Sequence, residues 1–130
     1  MDSGPGIAFL DTHAAVFLWE GRADIWGLKS RWLLERVPLF ISPLVRLELG
    51  YLKEIGKLKV GPDEIVGGLQ TDCGVIQSQE TLTEVISQAM TLHWTRDPFD
   101  RLIAATAMVH RAALITRDRR ILDNMDTAVW

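Results

Sequence analysis

Short, almost wholly apolar runs alternate along the chain with longer stretches in which apolar residues recur every three or four positions. Ile7–Leu10, Pro38–Ser42 ("PLFIS"), Gly74–Gln77 ("GVIQ") and Ala113–Thr116 ("ALIT") have strand length, and the final "AVW", Ala128–Trp130, is a candidate fifth strand. A helix is expected over Ile25–Arg36. A short one is expected where "GPDEI" puts Pro62 at the first helical position, with Asp63 and Glu64 in the first turn. Ser42-Pro43 and Asp97-Pro98 each set a capping side chain before a proline whose missing N–H does no harm there, which predicts helices over Pro43–Ile55 and Pro98–Arg111. Strands this apolar have no face to give to water. The alternation therefore predicts an α/β fold whose parallel sheet is covered by helices on both faces. No internal repeat or low-complexity segment breaks it.

Acidic residues interrupt this pattern where a core reading has no use for them. Asp11 follows the first strand directly and so lies at the carboxyl edge of a parallel sheet, where open α/β proteins bind ligands; a helix cap is the plain alternative. Glu48 falls in line with Leu44, Tyr51, Leu52 and Ile55 on its helix, which points its carboxylate with the apolar stripe. A charge so placed needs a cation or a hydrogen-bonding network, with an edge position whose carboxylate reaches water as the plain alternative. Asp100 heads the face carrying Ile103, Ala104, Ala107 and Met108, whereas Asp97 suits the cap of the same helix. Asp118 mirrors Asp11 beyond the fourth strand, with a turn, a cap or a solvated charge run as its alternatives. If Asp11, Glu48, Asp100 and Asp118 meet, their repulsion, roughly 4 kcal/mol for each pair 4 Å apart at an effective dielectric of 20, requires protons or a cation. All-oxygen ligation favours Mg²⁺ or Mn²⁺ over zinc. His13, His93 and His110 show no ligand spacing and are expected to be structural or surface residues, with His13 set apart by its place beside Asp11.

Composition adds limits. A chain of 130 residues, 48% hydrophobic and 24% charged, suits one globular domain, expected over residues 7–130 after a flexible tail of residues 1–6. A net charge of −3 argues against holding nucleic acid by bulk attraction, so any such chemistry must use a local site. Cys73 has no partner for a disulfide and is expected to be a small buried thiol. Nothing approaches the ~20 apolar residues of a spanning helix, and MDSGPG lacks the regions of a secretory signal, so a cytoplasmic location without membrane contact is expected. Trp19, Trp26 and Trp32 are expected as helix core residues.

Taken together, "FLDTHAAVFLW", "ISPLVRLELGYLKEIGKLKV", "RDPFDRLIAATA", "ALITRDRRI" and the closing "VW" resemble the PIN-domain ribonucleases, specifically the VapC-type toxins of toxin–antitoxin pairs. The resemblance runs from Ile7 to Trp130 with the motifs in order. It implies a three-layer α/β/α sandwich around a mostly parallel sheet of four to five strands, and RNA phosphodiester hydrolysis by acids that bind Mg²⁺ or Mn²⁺. It further implies that Asp11, Glu48, Asp100 and Asp118 are the catalytic metal ligands. Thr12 and Thr116 are implied to orient water or carboxylates, with Asp97 an ambiguous neighbour. Products with a 5′-phosphate and a 3′-hydroxyl are implied as well. Arg101 and then Arg117 are the candidate RNA phosphate contacts, with Arg96, Arg119 and Arg120 candidates for a surrounding basic rim. A cognate antitoxin whose C-terminal segment covers the groove, and a homodimer, are the implied partners. Two other readings compete. An aspartate-dependent phosphatase or phosphoacceptor fits less well, because His13 stands where the phosphatase pattern needs a second aspartate. A catalytically inactive PIN-like scaffold gives no reason for Glu48 and Asp100 to point inward.

Overall fold

A computed structural model describes residues 6–130. Five strands, β1 (Ala8–Leu10), β2 (Leu39–Ile41), β3 (Ile76–Gln77), β4 (Ala113–Ile115) and β5 (Ala128–Val129), form one all-parallel sheet in the order β3-β2-β1-β4-β5. The helices are α1 (Thr12–Trp19), α2 (Leu28–Arg36), α3 (Pro43–Glu54), α4 (Pro62–Cys73), α5 (Leu82–Ala89), α6 (Pro98–Val109) and α7 (Arg119–Asn124). The chain moves outward from β1 to β3 and then crosses back to β4 on the other side of β1. Right-handed connections place the helices before and after that crossing on opposite faces of the sheet, giving the expected three layers. Every residue of β1 and β4 is buried, as continuous apolar runs covered on both faces must be. Among the described residues no helix is long and apolar enough to cross a membrane. Apart from the exposed Gly6, the expected tail lies outside the described residues.

The crossing sets the location of the site. β1 pairs with both β2 and β4, with Leu10 opposite Ile41 on one side and Ile115 on the other. The direction of winding reverses between β1 and β4, and at their carboxyl ends the connections diverge and leave a crevice. Asp11 and Thr116 are the next residues along those two strands. Facing them, α6 is almost wholly enclosed from Ile103 to Ala107. Its Thr106 hydroxyl donates to the Leu102 carbonyl at 2.8 Å, which leaves Thr106 to accept from Ser42, the cap of α3, at 3.1 Å. That buried bond ties α3, and with it Glu48, to the helix that carries Asp100.

Several expectations shift. The helix expected from Ile25 begins at Leu28. Trp26 lies in the preceding bend, where its indole N–H donates to the Arg22 carbonyl at 2.7 Å, and Gly27 caps the helix. A Cβ on Gly27 would fall 2.6 Å from the Trp130 carbonyl carbon, so only glycine lets the last strand pack there. Trp19 and Trp26 are half-buried, while Trp32 is exposed, so this trio does not form a helix core. Cys73 is exposed, contrary to expectation. α4 ends in a left-handed Gly74, and the Val75 N–H folds back to the Leu69 carbonyl at 3.1 Å, so Val75 takes the core position beyond Leu69 that Cys73 would otherwise fill. The α4 segment is also longer than the short helix expected. On α3 the buried stripe runs through Val45 and Leu49, whereas Tyr51 and Ile55 are exposed. Glu48 therefore borders the core rather than joining it.

Candidate active site

Asp11, Asp97 and Asp118 share one local design. Each caps a helix through one carboxylate oxygen: Asp11 accepts from the Ala14 N–H at 2.9 Å, Asp97 from the Asp100 N–H at 3.1 Å, and Asp118 from the Ile121 N–H at 3.0 Å. Capping and site roles are therefore compatible, because a cap uses one oxygen and leaves the other. The N-terminal ends of α1, α6 and α7 converge on these acids. Asp97 and Asp118 each end a Thr-Arg-Asp tripeptide whose buried threonine accepts the aspartate N–H, Thr95 at 3.2 Å and Thr116 at 3.0 Å. Thr116 also bonds to the Asp11 carboxylate, so one hydroxyl serves two acids. Glu48 has no cap to make. It reaches the cleft from the middle of α3, and the buried Thr12 hydroxyl donates to its Oε1 at 2.5 Å.

These side chains line one cleft of about 380 Å³, bounded by Asp11, His13, Phe17, Glu48, Asp97, Asp100, Arg117 and Asp118. All four acids singled out from the sequence are there, with Asp97 and Arg117. Thr12 and Thr116 lie behind, buried, each bonded to an acid. Arg101 is not brought to the acids: its Nε donates to the Ala89 carbonyl at 2.9 Å at the end of α5, and it lines a separate shallow groove with Arg96, Ile86 and Met90. That contact satisfies the C-terminal carbonyl of a neighbouring helix, a common use of arginine. The candidate rim is thus divided, since Arg96 sits with Arg101 and Arg119 lies 3.9 Å from Asp123 on the surface. Sequence reasoning passes over Phe17 and Thr95. The repeat of Thr-Arg-Asp at 95–97 and 116–118 is the signal for Thr95. A larger groove of about 640 Å³, lined by Leu28, Trp32, Leu33 and Val129 among others, contains none of these acids.

The charges in the cleft are not independent. Burial pushes the Asp11 carboxyl up. Hydrogen bonds from Thr116 and from the Ala14 N–H and the charge of His13 pull it down, while Asp118 raises it further. Asp100 is pushed up to about 7, first by burial and then by the charges of Asp97, Asp118, Glu48 and Asp11. The mutual repulsion in the cleft thus falls chiefly on Asp100, whose charged form a counter-charge would favour. Among the described residues no three His, Cys, Asp or Glu side chains stand at metal-binding geometry. The donors available are carboxylates with one neighbouring imidazole and no thiolate, a set that fits a hard divalent cation rather than zinc.

Comparison with known proteins agrees with this architecture. The PIN domain family model matches residues 8–127. The fold is similar to that of a toxin–antitoxin complex from Klebsiella pneumoniae (TM-score 0.66, 22% identity, 95% of this chain and 96% of that one). It is likewise similar to VapBC2 from Rickettsia felis bound to a DNA fragment from their promoter (TM-score 0.65, 20% identity, 95% and 96% covered). A third similar structure is VapBC-1 from nontypeable Haemophilus influenzae (TM-score 0.58, 20% identity, 90% and 93% covered). No curated protein matches the sequence significantly. With the family model covering nearly the whole parallel sheet and all of its acid-bearing segments, the chain belongs to the PIN domain family.

Proposed function

We propose that this chain is a Mg²⁺- or Mn²⁺-dependent endoribonuclease acting as the toxin of a toxin–antitoxin pair. The observation that carries the reading is the meeting of Asp11, Glu48, Asp97, Asp100 and Asp118, from four separate parts of the chain, in one cleft at the sheet's switch point. Asp11, Glu48, Asp100 and Asp118 are the proposed ligands and catalytic acids. The bound cation supplies Lewis-acid polarisation of the phosphodiester and activation of water.

The chain's own residues set the conditions for that chemistry. Thr12 fixes Glu48, and Thr116 holds Asp11 and the Asp118 backbone in a common frame. Asp100, raised to about 7 by burial and by the neighbouring carboxylates, is the acid whose charged form a bound cation would favour most. Arg117 stands at the rim of the acidic cleft, placed to meet a phosphate. Thr12→Val removes the donor to Glu48 while keeping size and burial. A loss of about 10- to 100-fold in RNA cleavage is expected, as for partners that orient metal ligands. Unchanged kcat/KM with RNA would show that Glu48 needs no such support.

The direct test is incubation of purified protein with single-stranded RNA, with Mn²⁺ or with a chelator. Cleavage that survives the chelator rejects the metal-dependent reading. The similar structures are toxin–antitoxin assemblies, which supports an antitoxin as partner; a cytoplasmic location is part of the same proposal. Two exposed stripes, Leu47–Tyr51–Ile55 on α3 and Leu82–Ile86–Met90 on α5, offer apolar surface for pairing of two copies. A strictly monomeric mass by sedimentation at micromolar protein would reject the homodimer.

A further inference from the structure

An aromatic cluster runs from the acidic cleft along the carboxyl edge of the sheet. Phe17 lines the cleft, and its ring meets Trp26 and Trp130 edge-on, with both centroids 6.4 Å away. Trp26 and Trp130 lie 5.0 Å apart. The Arg117 guanidinium sits over both Phe17 and Trp130, 5.6 Å from each centroid. An arginine beside five carboxylates would ordinarily pair with one of them. Among the described residues Arg117 forms no ion pair and instead rests on two rings while remaining exposed. Its guanidinium is thus backed by aromatic surface at the rim of the cleft, with its charge unpaired among the described residues.

The geometry points to a nucleobase-stacking subsite formed by Phe17, Arg117 and Trp130, which takes one unpaired base of single-stranded RNA beside the bond to be cut. Proteins that read single-stranded RNA stack splayed bases on aromatic rings and on guanidinium planes, and such a platform tolerates an overall acidic protein because stacking needs no bulk positive charge. The Arg117 guanidinium meets the adjoining phosphate. A base held here sets the register of the strand against Asp11 and Asp100. Gly27 is part of the device, since a Cβ there would collide with the backbone of Trp130. The inference rests on the nuclease reading above and adds to it the means by which a particular nucleotide is positioned.

Binding, rather than turnover, tests it. In an Asp11→Asn background with Mg²⁺, anisotropy of a labelled single-stranded oligoribonucleotide reports affinity without cleavage. Arg117→Lys keeps the charge and loses the plane, and Phe17→Leu keeps bulk and loses the ring. Each is expected to weaken binding about tenfold. An abasic strand of the same length is expected to bind the Asp11→Asn parent as weakly as intact RNA binds the Phe17→Leu variant, and to be indifferent to that substitution. Arg117 is exposed, so Arg117→Lys carries the test if Phe17→Leu fails to fold by circular dichroism. Undiminished affinity in Arg117→Lys, or an abasic strand bound by the parent as tightly as intact RNA, overturns the subsite, and the nuclease reading stands if the wild type still cleaves. A folded wild type that neither binds nor cleaves single-stranded RNA overturns the nuclease reading itself, and the subsite with it.

Discussion

Replacing Asp11 or Asp100 by Asn is expected to lower metal-dependent RNA cleavage by a factor on the order of 10³ or more, because on the proposed function each exchange removes a charge that would hold the cation. Asparagine is the informative substitute at Asp11. It caps a helix about as well as aspartate, so the start of α1 is not at stake: the bond from the Ala14 N–H to the capping oxygen survives, and the loss reports the charge together with the contact to Thr116. Alanine would confound the two by costing roughly 1 kcal/mol of capping as well. Asp100 makes no side-chain cap of its own, so its Asn variant is cleaner still. Asp97 sits in the same cleft with one oxygen committed to α6, and Asp97→Asn is expected to cost less activity than Asp100→Asn. Values of kcat/KM on a fluorogenic RNA, with circular dichroism on each variant, measure all of these. Activity in Asp11→Asn equal to that of the wild type would assign the cleavage to a contaminant.

The second large effect concerns stability. In the folded chain the Asp100 carboxyl is raised from 3.8 to about 7, whereas in the unfolded chain it titrates near its ordinary value. Between those limits the folded state keeps a proton that the unfolded state has released, so stability falls as pH rises from about 4 to about 7 and is level above. Asp11, raised by burial, acts in the same sense. Asp100 is only half-buried and faces an open cleft, so solvent screening reduces its contribution to about 1–2 kcal/mol, which corresponds to several degrees in Tm. On the proposed function a divalent cation would reverse the penalty by binding the deprotonated cluster of the folded state. Thermal melts should therefore show Tm rising with Mg²⁺ or Mn²⁺ at pH 8 but little at pH 5. Asp100→Asn should be more stable than the wild type at pH 8 without cation and gain less from it. A Tm indifferent to divalent cations at pH 8, against a monovalent salt control of equal ionic strength, would remove the metal from the account.

How much of this is legible in the residues differs by element. The five apolar runs all form strands, since such short, continuous apolar runs alternating with helical segments have few alternatives in an α/β chain. The two Ser-Pro and Asp-Pro helix starts fall where expected, because a cap followed by proline is a local device that needs no tertiary help. α1 is not legible as a helix. "THAAVFLW" is apolar around most of its circumference and carries little periodicity for a reader to find. α5 does have a local signal, the Thr81 and Glu84 capping box, which the more conspicuous apolar runs obscure. The six-residue α7 is too short to show a period, and its charged start reads equally well as a solvated turn.

By itself, then, the sequence determined the layered α/β class, the strand positions and the identity of the acids, because these follow from local patterns of apolar, capping and turn residues. Tertiary structure decided the rest. The crossing from β3 back to β4 on the far side of β1 brought Asp11 and Thr116 side by side, and that pairing is non-local. Packing decided that Arg101 turns to the end of α5 while Arg117 lies over Phe17 and Trp130, although each arginine directly adjoins one of the site aspartates. The direction in which a long, flexible side chain points is set by the neighbours it finds in space, and those neighbours exist only once the sheet has been assembled.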